Sequence, residues 1–231
     1  MKKLTIGIIT SSGGSVFQNM VSCSRLCGLG DHSFVVLTDR KCGAEEFCKQ
    51  QNIQCERFVD PCNNALSSYA AGYFLQHRVD FILLFYSRLV TEKLFRNFPV
   101  LNIHPSLLPA FKGMGATLKA KNSSVLYLGA TLHLVNKFAD EGKIIAQACL
   151  PISRREPLRM LDKYSYIQKS ALAILAMHLV ETGSLSLLSD SSDYDLLDSV
   201  EVGDRVNPRI TDSNYMDFLQ SVQNYEGVDV I

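Results

Sequence analysis

With 231 residues and 25.7 kDa, the chain has room for one large domain, or one domain with an appendage, but not for three. Its 23 basic and 23 acidic residues cancel, which disfavours a generally basic nucleic-acid binder, and 47% hydrophobic against 20% charged residues excludes intrinsic disorder for the bulk of the chain. No apolar run is long enough to span a membrane, and the short β-branched run after Met1-Lys2-Lys3 is brief for a signal peptide, so a cytoplasmic location with no membrane partner is expected.

Residues 4–10 form a β-rich run that is apolar on both faces, as in a strand buried inside a parallel sheet. The turn Ser11-Ser12-Gly13-Gly14-Ser15 follows, then a helical stretch through Leu29. Strands are expected at 33–38, 53–58, 80–86 and 100–104, and helices at 43–51, 65–76 and 91–97, the last with Thr91 as N-cap. Pro105 stops the strand at 104. This alternation predicts an α/β fold, a mostly parallel twisted sheet flanked by helices with right-handed crossovers. The rhythm then changes. Residues 128–135 and 143–152 read as two strands joined by a loop too short for a crossover helix, hence an antiparallel pair. A long helix spans 157–182, with Gly183 placed to stop it.

Charge divides the chain near residue 184. Residues 184–231 hold ten acidic and two basic residues, leaving thirteen and twenty-one in the body, so the tail is negative by eight and the body positive by eight. We expect a domain over 1–183 and an acidic C-terminal extension over 184–231. In that extension 184–198 suits a linker, and the helical spacing of 215–222 suits docking on the body or on a second subunit of a homodimer. A positive body fits an anionic small ligand as well as it fits nucleic acid.

Six of seven cysteines fall in the first 62 residues. Cys23, Cys27 and His32 give the best zinc spacing, but no second tight pair completes a ligand set, so reduced thiols and no metal are expected.

The glycine turn before the first helix presents backbone N–H groups and a positive dipole end, which suit an anion, although such turns often need glycine for geometry alone. In Leu101-Asn102-Ile103-His104-Pro105, alternation puts Asn102 and His104 on one face at the carboxyl end of a strand, where open α/β sheets seat ligands. Two convergent donors are what a developing oxyanion needs. Asp140, in Phe138-Ala139-Asp140-Glu141-Gly142, is a carboxylate that orients a histidine if the fold brings the two together.

The combination of Asn102-Ile-His-Pro-Ser-Leu-Leu-Pro109, Gly113, Gly129-Ala-Thr-Leu-His133, Asp140 and Ile144-Ile-Ala-Gln147 resembles the folate-dependent formyltransferases, within them the glycinamide ribonucleotide (GAR) transformylase branch, over residues 3–183. The resemblance implies a Rossmann-like formyltransferase fold. It implies 10-formyltetrahydrofolate as co-substrate and a primary amine as acceptor, with Asn102, His104 and Asp140 at the catalytic positions. Ser87, Arg88, Leu89, Val90, Phe138, Ala139, Glu141 and Gly142 match the pterin-binding segments. Ser12, Gly13, Gly14, Ser15, Pro105 and Gln168 match the acceptor side, Gln168 standing where a glutamate meets the substrate amine.

The departures cluster on the acceptor side. Val16 replaces an asparagine in the glycine turn, and Asp60-Pro-Cys-Asn-Asn64 lacks a phosphate-contacting arginine. The acceptor is therefore expected to be a phosphorylated or nucleotide-linked amine, an amino sugar ahead of GAR. A folate-binding module without turnover is the other alternative. A dinucleotide site is disfavoured by the incomplete glycine fingerprint ahead of Asp39.

Overall fold

The computed structural model describes residues 3–27, 32–187, 194–196 and 201–231. In chain order they form β1 (Thr5–Thr10), α1 (Ser15–Leu26), β2 (Ser33–Thr38), α2 (Gly43–Gln51), β3 (Gln54–Arg57), α3 (Asn63–Gln76), β4 (Phe81–Phe85), α4 (Glu92–Phe95), β5 (Val100–His104), α5 (Ala116–Lys121), β6 (Tyr127–Leu134), β7 (Ile144–Pro151), α6 (Leu158–Glu181), β8 (Leu185–Leu187), β9 (Tyr194–Leu196), β10 (Val206–Asn207) and α7 (Ser213–Glu226). The expected α/β architecture is present, with element ends in the body shifted by a residue or two and the helix expected over 215–222 extending over Ser213–Glu226. Helix α1 ends at Leu26 with Cys27 as its C-cap, short of the predicted Leu29, and within the predicted linker over 184–198 the described residues 185–187 and 194–196 pair antiparallel as a second, two-stranded sheet, β8 with β9; residues 28–29, 188–193 and 197–198 of these stretches lie outside the described residues.

Eight strands form one sheet in the order β10-β7-β6-β5-β4-β1-β2-β3. The five strands from β5 to β3 run parallel, while β6, β7 and β10 each pair antiparallel with their neighbours. The period of two explains the two cores. Ile6, Ile8, Phe81 and Leu83 point to one face and pack under α1 and α6. Ile9, Ile82, Leu84 and Val100 point to the other and pack under α3 and α4. Both faces are covered, so the strands read as continuous apolar runs in the sequence.

Two local expectations differ. Thr91 occupies the N-cap position of α4, but its side chain caps nothing and its hydroxyl is buried without a partner; its amide donates instead to Ser67 Oγ at 2.9 Å. Helix α5 and strands β8, β9 and β10 were not expected, because six residues, and strands of two or three, carry too little periodicity to register.

Residues 201–231 pack onto the body. Val206 and Asn207 add an edge strand to β7, and the Cys149 amide donates to the Arg205 carbonyl at 2.8 Å. Asp212 caps α7 by accepting from the Asn214 and Tyr215 amides. Tyr215 is fully buried in the core formed with α1 and α6, with its hydroxyl 3.3 Å from Glu181 Oε2. Gln223 Oε1 accepts from the Val230 and Ile231 amides at 2.6 and 2.8 Å, which ties down the last residues. No helix among the described residues is long and apolar enough to cross a membrane.

Candidate active site

Strand β5 presents Val100, Asn102 and His104 to one face. Val100 lies in the core under α3 and α4, and the two polar residues lie beyond it toward the carboxyl end. The antiparallel partner β6 places His133 opposite Asn102 and Thr131 opposite His104. The loop after β6 folds back over this face. Asn136 shapes it, its Oδ1 accepting from the Phe138 amide at 2.8 Å and its Nδ2 donating to the Glu141 carbonyl at 3.2 Å. Asp140 sits in this loop with a left-handed φ of 54°, a conformation that Asp tolerates better than most residues.

The Asp140 carboxylate lies between two histidines. Its Oδ2 is 3.3 Å from His104 Nδ1 and accepts from the Gly113 amide at 2.8 Å, while its Oδ1 is 3.7 Å from His133 Nε2. Hydrogen-bond accounting then assigns the rings. His133 Nδ1 is 2.8 Å from the Leu134 carbonyl, which can only accept, so that nitrogen carries the proton. Nε2 of the neutral ring then accepts from Asn102 Nδ2 at 3.2 Å. Burial pushes the His133 imidazole below the ordinary histidine range, against the opposing pull of the Leu134 carbonyl and Asp140, in keeping with a neutral ring. One amide hydrogen of Asn102 is thereby used and the second is left to donate. At His104, Nε2 lies 2.9 Å from the Phe111 carbonyl, so both ring nitrogens face acceptors. Phe111 itself has φ 55°.

Two cavities meet at Asn102. The larger, of about 450 Å³, lies over Leu84, Ser87, Arg88, Leu89, Val90, Val135 and the loop residues Phe138, Ala139 and Asp140. The smaller, of about 220 Å³, is bounded by Ser12, Gly14, Ser15 and Val16 at the start of α1, by Phe85 and Tyr86, and by Lys169 of α6. Asn102, Ile103 and Pro105 line both. A still larger open hollow of about 760 Å³, between 201 and 231, holds none of the catalytic, cofactor-binding or acceptor-binding residues expected from the sequence.

The structure thus gathers Asn102, His104 and Asp140 at the wall of the larger cavity, with Ser87 to Val90, Phe138 and Ala139 around it. It does not bring every expected residue there. Glu141 points to Lys112, 2.8 Å away, and lines neither cavity. Gly142 is buried against β6, where a Cβ would lie 1.5 Å from the Leu134 carbonyl oxygen; its part is to let the loop pass. Gly13 turns its carbonyl to Gln18 Nε2 at 2.7 Å and lies outside the smaller cavity, unlike its neighbours Ser12, Gly14 and Ser15. Gln168 is the clearest correction. Its side chain is buried, with Nε2 3.4 Å from the Leu128 carbonyl, because its position on α6 faces the body. Lys169, one residue on, is the α6 side chain that reaches the smaller cavity.

Arg88 lines the larger cavity but spends its guanidinium on the wall, bonding the carbonyls of Asp60 and Pro61 and Oδ1 of Asn63 at 2.8 to 3.1 Å. This braces the segment before α3. Asp39, the acid a dinucleotide site would need, is buried and occupied by Arg40 at 2.8 Å and the Tyr86 hydroxyl at 3.1 Å; the Arg40 bond, above all, holds its carboxyl below the usual range. Cys23 and Cys27 lie 3.6 Å apart, Sγ to Sγ, while His32 turns to Leu4 and Glu181. Among the described residues no group of three or more His, Cys, Asp or Glu is placed to hold a metal ion.

Sequence reasoning missed His133 and Lys169 as site residues. His133 was legible in principle, since an antiparallel pairing of adjacent strands sets it opposite Asn102. Lys169 was not, because helix phase had to be known to within one residue.

Comparison with known proteins is consistent with this geometry. The pattern of the family described as formyl transferase matches residues 4–174. The chloroplastic phosphoribosylglycinamide formyltransferase of Arabidopsis thaliana is 32% identical over 175 residues, 70% of this chain and 60% of that protein. The phosphoribosylglycinamide formyltransferase of Haemophilus influenzae is 28% identical over 197 residues, 81% of this chain and 91% of the relative. The crystal structure of glycinamide ribonucleotide transformylase 1 from Symbiobacterium toebii superposes with a TM-score of 0.76 at 28% identity, over 85% of this chain and 95% of that one. The chain spans only 60% and 53% of the length of the Arabidopsis thaliana and Vigna unguiculata relatives.

Proposed function

The chain belongs to the formyl transferase family, and from that membership we propose that it moves the formyl group of 10-formyltetrahydrofolate to the primary amine of a small phosphorylated acceptor. The observation that carries this reading is Asp140 lying between His104 and His133 beside Asn102, where two cavities meet. One cavity suits the formyl donor and the other the acceptor, so the two reactants meet at the residues able to stabilise the reaction.

The larger cavity suits a pterin. Leu84, Leu89, Val90 and Val135 give apolar walls, and the backbone of 87–90 and 136–140 supplies polar groups at its rim. The folate supplies a formyl group on nitrogen, activated for attack by an uncharged amine. The free amide hydrogen of Asn102, and the His104 ring, donate to the formyl oxygen as negative charge develops there. Asp140 holds His104 in place through Nδ1. The Phe111 carbonyl now occupies His104 Nε2, so the 110–113 turn gives up that bond when a formyl oxygen takes it.

The named relatives favour phosphoribosylglycinamide as acceptor over a nucleotide-linked amino sugar. The amino sugar draws its support from the altered acceptor side, Val16 and the arginine-free segment before α3. Incubation with 10-formyltetrahydrofolate and each acceptor, following tetrahydrofolate release, tests the reading. Turnover with either amine, abolished in His104→Ala, is the expected result. Tight folate binding with no turnover on any amine would reduce the chain to a folate-binding module.

A further inference from the structure

Thr131 is fully buried on β6, directly opposite His104 of β5 and so on the same face of the sheet, yet it lines neither of the two cavities that meet at Asn102. Its hydroxyl is nevertheless saturated. It donates its one hydrogen to the Ser106 carbonyl at 2.7 Å, and it accepts from the Leu108 amide and from Gln147 Nε2, each at 3.0 Å. One donor and two lone pairs are all that a hydroxyl has. Gln147 Nε2 also donates to the Leu108 carbonyl at 3.2 Å, so both polar groups of Leu108 are held. The Gln147 main chain is itself paired with Asn207 of β10.

These bonds grip the chain two and four residues beyond His104, just past the end of β5. The Ser106 amide turns back to the His104 carbonyl at 2.9 Å, so the Ser106 peptide and the end of the strand move together. From there Ser106 Oγ donates to the Ala110 carbonyl, the Phe111 carbonyl meets His104 Nε2 and the Gly113 amide donates to Asp140. The loop that leaves His104 therefore returns to touch both His104 and its carboxylate partner, and Thr131 pins its root. The strand beneath leaves little slack, since a Cβ on Gly129 would collide with the Leu107 side chain.

We propose that Thr131 is a positioning residue for formyl transfer: by fixing Ser106 and Leu108 it holds His104 against Asp140, while the 110–113 tip stays free to release the Phe111 bond. This rests on the formyl-transfer reading of the same site and adds to it a division of labour within one loop. Its root keeps the donor preorganised, and its tip yields to the formyl oxygen. A displacement of about 1 Å at such a group can cost about 10²-fold in rate.

The full-length chain is compared as wild type, T131V, T131S and Q147L. Valine keeps the shape of threonine but leaves the Leu108 amide buried without its acceptor; serine keeps the hydroxyl; Q147L removes one of its three bonds. Turnover of 10-formyltetrahydrofolate is followed with phosphoribosylglycinamide and with a nucleotide-linked amino sugar, and the ring nitrogen resonances of His104, assigned by their loss in His104→Ala, are recorded without substrate. In T131V kcat should fall by about 10- to 100-fold at unchanged KM for the folate, with a smaller fall in Q147L and near wild-type turnover in T131S. The His104 resonances should move in T131V, move less in the same sense in Q147L, and keep their wild-type positions in T131S. Lost stability alone would not shift a ring in the folded state. Should T131V fail to fold, Q147L carries the test. Unmoved His104 resonances in the folded variants that lack these bonds overturn the proposal, as does a kcat loss in T131S equal to that in T131V. Absence of wild-type turnover with either acceptor counts against formyl transfer, and the His104 resonances then decide the positioning role on their own.

Discussion

Asn102 and His133 face each other across β5 and β6, amide Nδ2 to imidazole Nε2, at 3.2 Å. The histidine is locked as an acceptor by the Leu134 carbonyl on its other nitrogen, so the amide can only present hydrogen toward it. Asn102→Ala should lower kcat by about 10²- to 10³-fold, the usual cost of one oxyanion donor. His133→Phe should cost less, by releasing the amide to rotate. If the pair acts as a unit, the double variant is no slower than Asn102→Ala alone; losses that simply multiply would show that His133 acts elsewhere.

Acid should weaken the fold through the same histidine. Its folded pKa lies below the unfolded value of about 6.5, so the unfolded chain binds the proton first. The stabilisation is complete above that pH and is lost as pH falls through the folded value. Thermal midpoints measured from pH 7 down to pH 5 should drop more steeply for wild type than for His133→Gln. Parallel curves would mean that the buried ring does not contribute.

Asp140 holds His104 and the Gly113 amide at once. Asp140→Asn should therefore lose about 10²- to 10⁴-fold in kcat, comparable with His104→Ala, while both variants still bind tetrahydrofolate. Loss of folate binding in both, at unchanged helical content by circular dichroism, would move these residues from chemistry to cofactor recognition.

Gly142 allows the loop to cross β6 at a distance no side chain permits. Gly142→Ala should destabilise the chain by about 1–3 kcal/mol in urea unfolding, the usual range for overpacking. It should also displace Asp140, so kcat falls further than stability alone explains. A variant as active and as stable as wild type would mean that the loop is free to shift.

The extension can be tested through Tyr215. Fully buried beside α6, with its ring edge-on to His178 at 5.2 Å between centroids, it anchors α7. Tyr215→Ala should cost about 3–5 kcal/mol, as large aromatic truncations do, with KM for folate unaltered below the midpoint. A negligible change would mean that α7 contributes little to the fold.

The sheet was legible in the sequence because buried parallel strands are short, continuous apolar runs, and 81–85 and 100–104 could be little else. Asn102 and His104 were legible as a pair for the same reason, since strand alternation fixes a face without any knowledge of the fold. The wall of the smaller cavity was harder to read. Gln168 and Lys169 differ by one step of about 100° on a helix apolar around much of its circumference, so periodicity did not say which polar residue faced the cavity. The placement of 201–231 was opaque because its contacts are distant in sequence: Tyr215 with Glu181, and Arg205 with Cys149.

The two-residue strand β10 has a consequence for how the molecule behaves among copies of itself. By occupying part of the outer side of β7, at Ala148 and Gln147, it uses up main-chain groups that would otherwise invite strand addition by another chain. The opposite rim is β3, only four residues long and bearing Glu56 and Arg57, a poor template for such addition. A form cut before β10 would be expected to lose colloidal stability, forming light-scattering assemblies on warming, even where catalysis persists.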